Sequence, residues 1–143
     1  MRDIDQVSGD VIDLAIRVHR ALGPGLLESV YETVLASKLA EIGYPVARQH
    51  PIEIDFEGTR FDAAFRADLF VDHRLIVEIK SIERLAPIHA KQVLTYLRLT
   101  GQPVGLLINF GGETLKEGVR RLVNNYVPSA SSAPSARNQK IGE

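Results

Sequence analysis

Apolar residues at Val11, Ile12, Leu14, Ala15, Val18 and Leu22 recur at helical spacing and predict a helix over 9–22. Gly23-Pro24-Gly25 ends it. A second stripe, Val30, Val34, Leu35, Leu39 and Ile42, predicts a helix over 27–42, stopped by Gly43 with Pro45 just beyond. The period then changes to two. Residues 46–81 read as three strands, at 46–56, 60–71 and 74–81, joined by tight turns at Glu57-Gly58 and Asp72-His73-Arg74. Pro51 places the first strand at an edge or interrupts it. A helix follows over 87–100, with Pro87 in its first turn and Gly101 as its stop. The run PVGLLINF, 103–110, has the near-continuous apolar character of a strand covered on both faces. A final helix is expected over 113–126. The order helix, helix, three meandering strands, crossover helix, strand, helix implies an α/β sandwich with a mixed sheet.

At 143 residues the chain suggests one domain, expected over 1–127. From Pro128 onward the sequence is rich in Ser, Ala and Pro without periodicity, which predicts a disordered tail over 128–143. Cysteine is absent, so disulfides and thiolate metal sites are excluded. No apolar run approaches the roughly 18 residues of a membrane span. The polar, acidic start MRDIDQVSGD is unlike a signal peptide, so a cytoplasmic location is expected. The formal net charge of −1 does not advertise nucleic-acid binding, because phosphate contacts normally call for a basic surface. An enzyme that holds metal ions through acidic residues is less bound by that rule.

The third strand, LIVEIKS, carries the candidate chemistry. Ile76, Glu78 and Lys80 share one face, opposite Leu75, Val77 and Ile79. By themselves Glu78 and Lys80 would be read as a solvated face or a salt-bridged pair. Asp68 changes that. If 72–74 is a three-residue loop, Asp68 lies directly across the ladder from Glu78. Two facing carboxylates repel unless a positive charge lies between them, and a hard divalent cation would supply it.

Asp68 followed by Glu78-Ile79-Lys80 resembles the D…ExK signature of the PD-(D/E)XK nuclease superfamily. The element order from residue 27 is similar to its α-β-β-β-α-β, restriction-endonuclease-like core. Gln92 to Tyr96 resembles the QxxxY motif of the RecB-like branch. Gly25-Leu26-Leu27-Glu28-Ser29-Val30-Tyr31 matches the pattern of the GxxExxY family. Ala67 stands where the motif name would put proline.

The resemblance implies a divalent-metal-dependent nuclease, acting on DNA or less readily RNA, with Mg²⁺ (or Mn²⁺ in its place) as cofactor. It implies Glu28, Asp68, Glu78, Lys80 and Gln92 as catalytic residues. The metal ligands would be Glu28, Asp68, Glu78 and the backbone carbonyl of Ile79. Tyr31, His89, Lys91 and Tyr96 are candidates for substrate contact. Each also has a plainer reading. Glu28 suits a helix N-terminus, and Tyr31 and Tyr96 could be packed aromatics with satisfied hydroxyls. His19 reads as structural, and the four histidines match no zinc spacing. A homodimer is expected if both strands of a duplex are cut. The rival reading is a non-catalytic nucleic-acid-binding or protein-interaction module on the same fold. A nucleotide-binding enzyme has no support, for there is neither a P-loop nor a dinucleotide fingerprint.

Overall fold

The computed structural model describes residues 2–125. Helix α1 spans Ile4–Leu22 and α2 spans Glu28–Glu41. They are followed by β1 (Val46–Phe56), β2 (Thr59–Val71), β3 (Leu75–Lys80), α3 (Pro87–Thr100), β4 (Val104–Asn109) and β5 (Val119–Val123). Helix α1 starts earlier than its apolar stripe, because Asp3 caps it by accepting the Gln6 N–H at 2.8 Å. The expected tail at 128–143 lies outside the described residues.

The strands form one sheet in the order β1-β2-β3-β4-β5. Only β3 and β4 run parallel. Helix α3 makes the crossover between them. This is a mixed sheet with helices on both faces, the α/β restriction-endonuclease-like architecture expected. Helices α1 and α2 cover one face through a cluster that includes Val11, Tyr31, Leu35, Leu69, Val77 and Leu106. Helix α3 covers the other through Val93 and Leu97, packed on Ile76 and Leu107. All six residues of β4 are buried, as its apolar run requires.

The final element corrects the sequence reading. In place of a helix over 113–126, a 3₁₀ turn at Lys116–Gly118 leads into β5, antiparallel to β4. Two physical reasons favour the strand. Without it the edge of β4 would be buried with its hydrogen bonds unmade. In addition, Gly118 lies so close to β4 that a Cβ there would stand 2.5 Å from the Asn109 carbonyl oxygen.

Two turns fix the register that matters. Glu57 and Gly58 both have positive φ (49° and 86°), the primed turn that suits a two-residue hairpin loop. Asp72 and His73 also have positive φ (57° and 60°), and Val71 pairs with Leu75 across them. Residues 72–74 therefore form the three-residue loop, and Leu69 faces Val77 as that loop length predicts. Strand β1 is an edge strand, consistent with Pro51.

Candidate active site

The ladder between β2 and β3 holds for three pairs, Val71↔Leu75, Phe70↔Ile76 and Leu69↔Val77, and then opens. At the next position the backbone groups turn to side chains. The Asp68 N–H donates to Glu78 Oε2 at 3.0 Å, and the Ile79 N–H donates to Asp68 Oδ2 at 2.8 Å. The two carboxylates thus occupy the places that ladder hydrogen bonds would have filled. Glu78 and Asp68 meet across the strands because the loop length sets their register. The Ile79 N–H points into this opening. Its carbonyl faces the same way, since the N–H and C=O of one strand residue lie on one side. The Lys80 carbonyl is turned to β4, where it accepts the Phe110 N–H at 2.8 Å.

The electrostatics of the opening are unusual. Glu78 is only 6% exposed. Burial and the nearby Asp68 charge push its pKa from 4.5 up to about 7, with Glu28 adding a smaller push. Lys80 and the hydrogen bond from Asp68 pull the other way without cancelling them. Lys80 is half-buried and, among the described residues, makes no ion pair within 4.0 Å.

Glu28 opens α2 and is exposed, with Oε2 3.4 Å from the Ser81 N–H at the end of β3. Two contacts hold it there. The Ser81 hydroxyl donates to the Leu26 carbonyl at 2.6 Å. Tyr31, fully buried and stacked on Phe110, donates its hydroxyl to the Gly23 carbonyl at 2.6 Å and accepts the Leu26 N–H at 3.1 Å. Tyr31 therefore ties the 23–26 loop to the core, and its hydroxyl points to that loop rather than to open solvent. Gly23 and Gly25 have φ of 76° and 97°, which glycine adopts at no steric cost.

On the other side, Gln92 and Tyr96 lie one turn apart on α3. Tyr96 is half-buried and stacks on Phe65 with centroids 3.6 Å apart. Burial and then the Glu78 and Asp68 charges raise the pKa of its hydroxyl, and a hydrogen bond from Gln92 lowers it. Tyr96 is thus close enough to feel both carboxylate charges, with Gln92 as its hydrogen-bond partner. His89 sits about a turn before Gln92, and Lys91 directly precedes it. His89 Nδ1 accepts the Ala86 N–H at 2.9 Å, which caps α3, and Lys91 is exposed. No hydrogen bond joins either side chain to the carboxylates among the described residues.

Residues that sequence reasoning did not single out complete the surroundings. Glu32, 6% exposed, accepts from Arg48 Nε at 3.0 Å and from Gln49 Nε2 at 2.7 Å. Gln49 Nε2 also donates to Asp68 Oδ1 at 3.0 Å. An open cleft of about 780 Å³ runs along Leu26, Glu28, Glu32, Gln49, Asp68 and Ser81. Glu32 stands one turn after Glu28 on α2, and that spacing was the only available signal. Behind the site, buried Asn109 accepts the Ile82 and Gly111 N–H groups and donates to the Ile82 carbonyl. A Cβ on Gly111 would stand 2.0 Å from that carbonyl oxygen, so only glycine fits. His19 Nε2 donates to the Gly112 carbonyl at 2.9 Å, the structural role expected of it.

The donors suit a hard cation. Two carboxylates and a backbone carbonyl share one opening, and a divalent ion would offset both the burial of charge and the Asp68 repulsion that together raise the Glu78 pKa. Among the described residues, however, no three acidic or histidine side chains are gathered closely enough to hold an ion by themselves. A cation here would keep several of its waters, as Mg²⁺ usually does.

The family model of the PD-(D/E)XK nuclease superfamily matches residues 5–122, from the first turn of α1 into β5. The chain belongs to this superfamily, whose members are in general nucleases that use divalent metals. Comparison with curated proteins and with solved structures gave no match.

Proposed function

We propose that this protein is a divalent-metal-dependent nuclease that hydrolyses phosphodiester bonds in DNA, with RNA the less favoured substrate. Its features resemble the GxxExxY family and the RecB-like branch of the superfamily. One observation carries the reading: Asp68 and Glu78 replace backbone partners where the β2–β3 ladder opens, in a chain of nuclease ancestry.

Asp68, Glu78 and the Ile79 carbonyl would hold Mg²⁺, or Mn²⁺ in its place, with Glu28 as the third carboxylate across the cleft. A bound ion of this kind polarises the phosphoryl oxygen and lowers the pKa of a water. The chain's own residues do the rest. Lys80, on the Glu78 face and in no ion pair among the described residues, orients the attacking water and offsets negative charge growing on the phosphate. Gln92 holds a phosphate oxygen, and Tyr96 buttresses the carboxylates from α3. His89, through the nitrogen not used in capping, and exposed Lys91 meet the flanking phosphates. Tyr31 acts indirectly, through the loop that delivers Glu28. A homodimer would present one such centre to each strand of a duplex, and light scattering measures that state directly.

The test is cleavage of labelled single- and double-stranded DNA and RNA in Mg²⁺ and in Mn²⁺, beside Glu78→Ala and Lys80→Ala. Cleavage by the parent and its loss in both variants supports the centre. Cleavage that survives both substitutions refutes the assignment. Neither cleavage nor metal binding by the parent turns the reading to a non-catalytic binding module.

A further inference from the structure

Gln49 breaks the strand it belongs to. Its neighbours Arg48 and His50 pair with Leu69 and Ala67, but Gln49 itself has φ +48°, a left-handed conformation that costs a non-glycine residue energy. The twist brings the side chain to the α2 side of β1. There the amide nitrogen meets two carboxylates at once, Glu32 Oε1 at 2.7 Å and Asp68 Oδ1 at 3.0 Å.

The chemistry leaves no choice about which amide atom faces them. Both neighbours are acceptors, so the NH₂ end must point at them, and each of its two protons has one carboxylate oxygen. Glu32 is itself fixed by Arg48 Nε at 3.0 Å, and the Arg48 guanidinium also donates to Thr33 Oγ1 at 2.8 Å. The chain of contacts therefore runs from buried α2, through Glu32, to Gln49, to Asp68. Asp68 in turn is gripped on its second oxygen by the Ile79 N–H at 2.8 Å. With both oxygens held, the carboxylate cannot turn about its own axis without losing a hydrogen bond.

We propose that Gln49 is a positioning residue for Asp68, locked in place by Glu32, and that it sets the carboxylate orientation from which Asp68 takes a divalent cation. This rests on the metal-site reading above. Gln49 touches no metal and no substrate in this scheme. It acts as the hydrogen-bonded partners behind metal ligands generally act, by fixing a ligand that otherwise turns freely. The backbone strain at Gln49 is accounted for in the same way: it is the conformation that lets one amide reach both acids.

The test uses the full chain and Gln49→Met, which keeps side-chain length and removes both donors. Mn²⁺ affinity is measured by titration calorimetry, and cleavage is measured across a range of Mn²⁺ concentrations. Hydrogen exchange of the Ile79 amide is followed without metal, beside thermal unfolding. The expected result is a fall in Mn²⁺ affinity of about tenfold to a hundredfold, the range found for partners of metal ligands. Most of the lost cleavage should return at saturating Mn²⁺. The Ile79 amide should exchange faster than any change in global stability explains, because its acceptor is no longer held. Glu32→Gln should weaken Mn²⁺ binding in the parent but add little in the Gln49→Met background, since it acts through Gln49.

Unchanged Mn²⁺ affinity and unchanged Ile79 exchange in a folded Gln49→Met protein overturn the positioning role. If Gln49→Met fails to fold, Gln49→Asn, which keeps the donors on a shorter side chain, takes its place with the same two outcomes. A parent that binds no Mn²⁺ overturns the metal-site reading itself, a result distinct from a parent that binds and a variant that binds equally well.

Discussion

Asp5 and Glu78 are both nearly shielded from water, at 3% and 6% exposure, yet their surroundings are opposite. Asp5, on α1, meets the Arg121 guanidinium of β5, with Ser8 alongside. A buried anion has a buried cation, and the site is electrically closed. Glu78 has the Asp68 carboxylate beside it and no ion pair with Lys80 within 4.0 Å, and burial, then the Asp68 charge, raise its pKa to about 7. Burial alone does not distinguish the two acids. The sign of the nearest charge does: the first pair holds a helix to the sheet edge, while the second keeps a demand for positive charge that folding leaves unmet.

The largest effect should come from breaking the closed pair. Arg121→Met removes the cation paired with Asp5 in the core and should cost about 3–5 kcal/mol, read by urea unfolding. Asp5→Leu combined with Arg121→Met should recover most of that loss, because two apolar groups replace both charges together. A single substitution that costs nothing would show that the pair does not neutralise a buried charge.

The open site should respond in the reverse sense. Glu78→Gln should cut cleavage at least a hundredfold, about 3 kcal/mol of transition-state stabilisation. It should also make the metal-free protein more stable at pH 8. The sign follows from the raised pKa. Between pH 4.5 and about 7 the folded chain keeps a proton that the unfolded chain has released, so parent stability falls as pH rises through that window. The shift corresponds to an upper value of about 3 kcal/mol above pH 7. Thermal unfolding from pH 4.5 to 8 without metal should show this slope in the parent and a flatter one in Glu78→Gln. A parent whose stability does not fall over that range would contradict the raised pKa that burial and the Asp68 charge give Glu78.

In the proposed reading Mn²⁺ would supply positive charge at this site, which sharpens the same contrast. It should raise the melting temperature of the parent more at pH 8 than at pH 5, where protonated Glu78 competes with it. Equal stabilisation at both pH values would count against Glu78 as a ligand.

Tyr31→Phe is the smallest effect. It removes two hydrogen bonds from the 23–26 loop but keeps the stacking on Phe110, and should cost about 1–2 kcal/mol. If Glu28 serves the metal as proposed, cleavage should fall with it, because the loop leads into Glu28 at the start of α2. Lost stability with undiminished cleavage would separate Glu28 from the chemistry.

Much of this site could be read from the chain because strand geometry is periodic. Once 72–74 is a three-residue loop, the partner of Asp68 follows by counting, and Glu78 and Lys80 share a face by alternation. Helix ends were legible for a similar reason, since Pro87 and Gly101 act on their own backbone. Gln49 was not legible. Its role depends on a left-handed residue inside a strand and on two acids brought from α2 and β2, which no local pattern encodes.

The sequence by itself determined the period of each buried element up to β4 and the tight turn at Glu57-Gly58, and it offered a facing Asp68 and Glu78 on the condition of a three-residue loop at 72–74. These follow from interactions within a few residues of each other. Only the tertiary structure decided that 119–123 is a strand and that Tyr31 serves a loop. It also decided that Glu32 and Gln49 stand behind Asp68. In each of these cases the deciding partner lies far along the chain: an open edge on β4, a loop carbonyl, a carboxylate on another strand. A backbone or side-chain group that must find its hydrogen bond across the fold takes its conformation from that partner, not from its own neighbours.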